Sequence, residues 1–166
     1  MIIITVVDDD YGLLFNNRRV SKDRVLREKI KEITKGSKLF MNEYSYGQFS
    51  EDEFNNIVVD EDFLNKAGDE DFCFVENVDI KPYLQEIHRI ILFRWNRIYP
   101  SDFRFPKEIL EDFNREGICE FAGSSHDKIS QDNYKESVRK VKAGKLFTVY
   151  KDRKSTRLNS SHGYIS

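Results

Sequence analysis

The chain opens on Met1-Ile2-Ile3-Ile4-Thr5-Val6-Val7, a nearly continuous β-branched run that stops at Asp8-Asp9-Asp10. A strand that is apolar at successive positions has no face to offer water, so it must be buried on both sides of a sheet. The segments that follow supply the cover. Ser21 is placed to cap a helix whose apolar positions Leu26, Ile30 and Ile33 repeat at helical spacing, and Gly36 supplies its left-handed stop. Leu39-Phe40-Met41, Asn56 to Val59, Phe72 to Val75 and Arg89 to Trp95 read as further strands, the last long and apolar enough to lie centrally.

Between them, Asp8 to Val20 reads as loop because it holds Gly12 and the Asn16-Asn17 pair. Asp60 is placed to cap a short helix containing Phe63 and Leu64. Asp79 to Glu86 is expected to be a short helix with Pro82 in its first turn. Gly117 to Phe121 reads as strand, Ser130 as the cap of a helix running through Val141, and Leu146 to Tyr150 as a closing strand. Strands alternating with helices imply an α/β domain with a largely parallel sheet.

The tail is set apart. Asp152 to Ser166 reads DRKSTRLNSSHGYIS, and its first eleven residues match the translation of a short-read sequencing adapter. It is expected to be non-native and disordered, which leaves residues 1–151 as one domain. Without Asp152, Arg153, Lys154 and Arg157 the net charge moves from −2 to −4. His88 and His126 are then the only histidines.

That acidic balance disfavours bulk nucleic-acid binding, which draws on a basic face. No apolar run reaches the length needed to span a bilayer. MIIITVV lacks a basic leader and meets three aspartates at once, so it does not read as a secretory signal. Cys73 and Cys119 lie in apolar, strand-like contexts and are expected to be buried free thiols in a reducing cytoplasm.

The order of strand, glycine-bearing loop, helix opening on an acid and second apolar strand resembles the N-terminal half of dihydrofolate reductase. Phe72-Cys73-Phe74-Val75 followed by a short helix, His88 to Asn96 followed by Tyr99 to Pro106, and Glu120-Phe121 before a polar loop extend the resemblance to about Ser125. It implies a three-layer αβα domain around a central, mostly parallel mixed sheet. The segment from Ser130 to Lys151 departs from it, because the family closes with a strand there.

The family's substrate-binding acid falls on Asp23, where a carboxylate beside a cleft can hold a ring amino group and assist protonation. The alternative is that Asp23 only serves the positive end of the helix dipole. The glycine pair that admits the nicotinamide nucleotide resembles Glu76-Asn77 here. The phosphate-gripping stretch is Met41-Asn42-Glu43-Tyr44-Ser45, with Glu43 where a base should be. NADPH carries about four negative charges, and each nearby carboxylate costs on the order of 1 kcal/mol even when solvated. No cofactor is therefore expected, and NADPH is disfavoured.

What the cleft offers instead is Arg18, Arg19 and Arg24 near the first helix, Asn42 and Tyr44 opposite, and Arg94 and Arg97 flanking Trp95. Arginine forks suit phosphate or carboxylate, and an aromatic ring can stack on a planar ligand. The alternatives are a solvated strand end for Arg94 to Arg97 and a core role for Trp95. His126, in Gly123-Ser124-Ser125-His126-Asp127, belongs to a polar hairpin tip that would line the cleft mouth. Adjacent residues rarely build a catalytic triad, because its members converge from separate elements.

Asp8-Asp9-Asp10 with Asn16 or Asn17 could chelate a hard cation, but a solvated turn is favoured and no metal is expected. A ribonuclease Z-type metallohydrolase is disfavoured, because its His-x-His-x-Asp-His zinc site cannot be built from His88 and His126. The expectation is a small anionic or nucleotide-like ligand without NADPH-dependent reduction. Two alternatives stand beside it, a pterin-type reductase with an altered cofactor site and an interaction protein.

Overall fold

A computed structural model describes residues 1–146. Six segments build the parallel part of the molecule in chain order: strand β1 (Ile2–Val7), helix α1 (Arg24–Thr34), strand β4 (Leu39–Met41), helix α2 (Glu43–Phe49), strand β5 (Ile57–Val59) and strand β6 (Phe72–Phe74). Strand β7 (Arg89–Arg94) follows, and strands β9 (Phe113–Phe121) and β10 (Ile129–Glu136) complete a seven-stranded sheet ordered β5-β4-β6-β1-β7-β10-β9. The five strands from β5 to β7 run parallel, and β10 and β9 add antiparallel. This is the three-layer αβα arrangement with a mostly parallel mixed sheet.

Side-chain alternation divides the core in two. Ile4, Phe74, Phe93 and Trp95 point to the layer where Leu26 and Ile30 of α1 pack. Ile3, Val7, Cys73, Val75, Ile90 and Leu92 point to the opposite layer with Phe63 and Leu64 of the short helix α3 (Phe63–Lys66). Both faces of β1 and β7 are covered, as their continuous apolar runs require.

Several expectations need correction. The stretch read as loop contains strands β2 (Gly12–Phe15) and β3 (Arg18–Arg19), which join β8 (Phe103–Arg104) in a second, three-stranded sheet. Their two-residue turn is Asn16-Asn17 with φ of 50° and 63°, left-handed values that asparagine tolerates and a type I′ hairpin needs. The α1 cap is Asp23 rather than Ser21, since the Asp23 side chain accepts from the Leu26 N–H. Gly36 does take the left-handed conformation, with φ of 84°. Helix α3 follows Asp62 without a side-chain cap, and Asp60 instead accepts from the Asp62 N–H. Helix α2 was not foreseen, although Asn42 caps it by accepting from the Ser45 N–H. Asp79 to Glu86 narrows to a 3-10 helix, Lys81–Glu86.

The largest correction concerns the segment after Ser130. It is strand β10, paired with β7 and β9, and a helix begins only after Ser137, over 138–146. Ser137 accepts from the Lys140 N–H at 3.1 Å, so the cap lies seven residues later than expected. Ser130, Gln131 and Asp132 are buried polar residues, and a strand with such an interior has no apolar period to betray it. The departure from the reductase-like pattern read after Ser130 is thereby removed. Leu146 lies in the helix, and the rest of the expected closing strand lies outside the described residues, as do Lys151 and the tail. Cys119 is exposed on β9, the edge of the sheet, whereas Cys73 is buried and its thiol is pushed up to about 12 by desolvation. Among the described residues no helix is long and apolar enough to cross a membrane.

Candidate functional site

Two polar clusters sit on the α1 side, at the end of the sheet where β1, β6 and β7 finish. The first is built from Arg19 on β3, Tyr44 on α2 and Glu76 just after β6. The Arg19 guanidinium grips Glu76 with both ends of its fork, Nε to Oε2 at 3.0 Å and the second nitrogen to Oε1 at 3.3 Å. It also donates to the Tyr44 carbonyl at 3.1 Å and lies 4.6 Å over the Tyr44 ring, while the Tyr44 hydroxyl accepts from the Arg19 N–H at 2.7 Å. The side chains are largely withdrawn from solvent, at 22% exposure for Arg19 and 9% for Glu76. Beside them Asn42 donates to Asn77 at 2.7 Å and ties the end of β4 to the end of β6.

What this arrangement leaves open is small. Arg19, Glu76, Leu13, Leu26, Phe74 and Trp95 are among the residues enclosing a cavity of about 10 Å³, room for about one water. The Arg19 guanidinium, held by Glu76 and Tyr44, closes the space beside these apolar walls.

The second cluster centres on His126. Its ring stacks on Trp95 at 4.3 Å between centroids and 22° between planes. Nδ1 lies 3.1 Å from Asp23 Oδ2, and Nε2 lies 3.0 Å from both the Ser21 hydroxyl and the Tyr99 hydroxyl. Asp23 is saturated. It accepts from the backbone N–H groups of Leu26, Ser124 and Ser125 at 3.2, 3.0 and 2.8 Å and from the Ser124 hydroxyl at 3.2 Å. The Ser125 hydroxyl, 3.0 Å from Oδ2, shares its one proton with the Lys22 carbonyl at 2.9 Å.

Burial alone would raise the Asp23 carboxyl, but the Ser125 and Ser124 N–H groups, with His126 and Leu26, outweigh it. They hold the group well below the usual carboxylate range. Gly123 permits this closeness, since a Cβ there would collide with the Asp23 carboxylate. A carboxylate offers about four lone-pair directions, and these donors use them. The geometry therefore gives Asp23 the work of anchoring the hairpin tip to the start of α1, with no edge presented to a ring substrate.

The other flagged residues are dispersed. Arg18 is exposed, and Arg24 is exposed and paired with Glu28 along α1. Arg94 points to the opposite face from Trp95, donating to Asp132 at 2.7 Å and to the Tyr11 hydroxyl at 3.2 Å. Burial disfavours its charge, yet those bonds to Asp132 and Tyr11 leave its pKa raised. Glu43 is exposed on the first turn of α2, its backbone N–H bonded to Glu61. The premise that Glu43 and Glu76 share one groove needs correction, because only Glu76 faces it and Arg19 counters its charge.

Asp8 is buried and spent on the turn after β1, accepting from the Asp10, Gly12 and Tyr99 N–H groups. His88 bridges Glu136 and Asp69 at 3.3 Å each. Roomier spaces lie elsewhere among the described residues. An open cleft of about 550 Å³ is lined by Trp95, Asn96, Arg97, His126, Asp127 and Lys128 among others. A groove of about 630 Å³ runs along α1 past Glu28, Lys31, Glu32 and Lys35, a mixed-sign solvated face holding none of the residues flagged from sequence. The reading of sequence missed Ser21 and Tyr99 as partners of His126, and nothing local marks either one.

No protein-family model matches the chain, and no curated protein matches its sequence. Among solved structures it is similar to a dihydrofolate reductase from Enterococcus faecalis in complex with NADP(H) and RAB-propyl, at a TM-score of 0.61 and 8% identity. The alignment covers 82% of this chain and 96% of that one. At such low identity the likeness is one of backbone architecture, and by that measure the chain has a dihydrofolate reductase-like fold.

Proposed function

We propose that this protein binds a small anionic or nucleotide-like ligand and does not carry out NADPH-dependent reduction. The observation that carries the reading is Arg19, whose guanidinium is held inside the groove by Glu76 and Tyr44. Its planar fork matches a carboxylate or phosphate bidentately, and Glu76 engages it as such a ligand would. An anion that outcompetes Glu76 would gain the fork and, with rearrangement of Arg19, the apolar walls behind it. What speaks against reduction is space rather than charge. The structurally similar reductase was solved with NADP(H), whereas the cavity behind Arg19 here admits about one water, and Asp23 is committed to the hairpin tip.

A thermal-shift panel of nucleotides, pterins, inorganic phosphate and NADPH tests the reading, since a ligand at a hundred times its Kd stabilises by about 2.7 kcal/mol. An anionic binder whose effect is lost in Arg19→Ala is the expected result. Micromolar NADPH binding by calorimetry, accompanied by NADPH oxidation with a pterin, would overturn it. That outcome would favour the pterin-type reductase, a reading aided by the neutralisation of Glu76 by Arg19. The buried free thiol of Cys73 fits a reducing compartment, and we place the protein in the cytoplasm on that ground.

A further inference from the structure

Ser21, His126 and Asp23 meet the geometric conditions of a nucleophile, a base and an orienting acid. Ser21 Oγ lies 3.0 Å from His126 Nε2, and His126 Nδ1 lies 3.1 Å from Asp23 Oδ2. Two segments supply them: Ser21 and Asp23 share the stretch leading into α1, and His126 sits more than a hundred positions later in the β9–β10 hairpin tip. We propose that Ser21 is a nucleophile activated by His126 and Asp23, and that this site cleaves small carboxylic esters.

Three further features support this. Asp23 stays ionised, because its N–H donors hold its pKa down, so the proton of the pair belongs on Nδ1 and Nε2 is turned toward the hydroxyls. The imidazole cannot rotate away, being stacked on Trp95 and only 2% exposed. Ser21 is half-buried and lines the small cavity together with Leu13, Val20, Leu26 and Trp95, which offers an apolar wall to an acyl group. Gln48 lines the same cavity and carries a side-chain amide that can donate to a developing oxyanion. At about 10 Å³ the cavity holds no acyl group until Arg19 swings out, so the reaction requires that movement.

In the reaction the Ser21 proton passes to His126 Nε2 as the Oγ–carbon bond forms at the ester carbonyl. The carbon–oxygen bond to the alcohol then breaks, and the alcohol leaves with that proton. Water attacks the acyl carbon, gives a proton to His126, and releases the carboxylic acid as Ser21 Oγ regains its hydrogen. Ester and water become acid and alcohol, with no other reactant needed. Tyr99 modulates the step, since its hydroxyl occupies the same nitrogen at 3.0 Å.

The test is labelling of the full chain with a fluorophosphonate, read by intact mass and peptide mapping, alongside hydrolysis of p-nitrophenyl acetate. A single adduct on Ser21 is expected, absent in Ser21→Ala and retained in Ser50→Ala. His126→Asn should slow it by roughly 10²–10⁴-fold, while Tyr99→Phe, which frees Nε2, should speed it. Failure of the wild-type chain to label, or an adduct mapped to any other residue, overturns the proposal without recourse to a variant. So does a rate on Ser21 that is unchanged in a folded His126→Asn protein.

Discussion

Asp23 and Glu76 are both carboxylates withdrawn from water at the same end of the sheet, yet they are held in opposite ways. Asp23 faces three fixed backbone N–H groups, which cannot turn away, and its side chain has no exposed surface. Glu76 faces one long, flexible arginine that retains 22% exposure. The first arrangement is overdetermined and the second is releasable. Rigidity near α1 therefore comes from the hairpin tip, while any opening of the groove must come from Arg19. The same contrast separates the two chemical readings, since a preorganised base belongs with the rigid cluster and an exchangeable anion site with the mobile one.

Removing the rigid anchor should have the largest effect. Asp23→Ala strands the Ser124, Ser125 and Leu26 N–H groups and the imidazole, and should cost about 3–5 kcal/mol in urea unfolding. Because the folded carboxyl titrates below its unfolded value, its stabilisation is complete above about pH 5 and declines as pH falls through the unfolded value near 3.9 and beyond. The gap between wild type and Asp23→Ala should accordingly narrow on acidification. A gap that is constant down to pH 2 would mean that folding leaves the Asp23 pKa unshifted, and one that widens would mean that the native carboxyl is held neutral.

Glu76→Ala should cost less, about 1–2 kcal/mol, because the freed guanidinium can turn toward solvent. It should also strengthen binding of anionic ligands in the thermal-shift panel. A loss as large as that of Asp23→Ala would erase the distinction between the clusters. At the bottom of the scale, Arg24→Ala breaks only the exposed pair with Glu28 along α1 and should shift stability by less than about 0.5 kcal/mol.

The parallel half of the sheet was legible because β1, β6 and β7 are covered on both faces and so carry apolar residues at successive positions. Strand β10 was not, since it buries the polar residues Ser130, Gln131 and Asp132 across its two faces, and Asp132 is satisfied by Arg94 from the neighbouring strand. Burial compensated by a distant partner leaves no local period. The same reason hid the site. Asp23, Arg19, Glu76, Trp95 and His126 each stood out singly by residue type. Their pairing depends on separations of 57 positions for Arg19 with Glu76 and 103 for Asp23 with His126. Glu43 misled because its place in the stretch after β4 does not reveal that the first turn of α2 aims it outward.

The two-residue turn at Asn16-Asn17 has a consequence for which arginine does the work. In an extended ribbon neighbouring side chains face opposite ways, so the length of the turn decides that Arg19 enters the groove while Arg18 meets water. One inserted neutral residue would shift the parity and exchange the two, keeping both arginines and the net charge while replacing the guanidinium that reaches Glu76. The hairpin thus acts as a selector, and a change in loop length there would rewrite the pocket without touching a single residue that lines it.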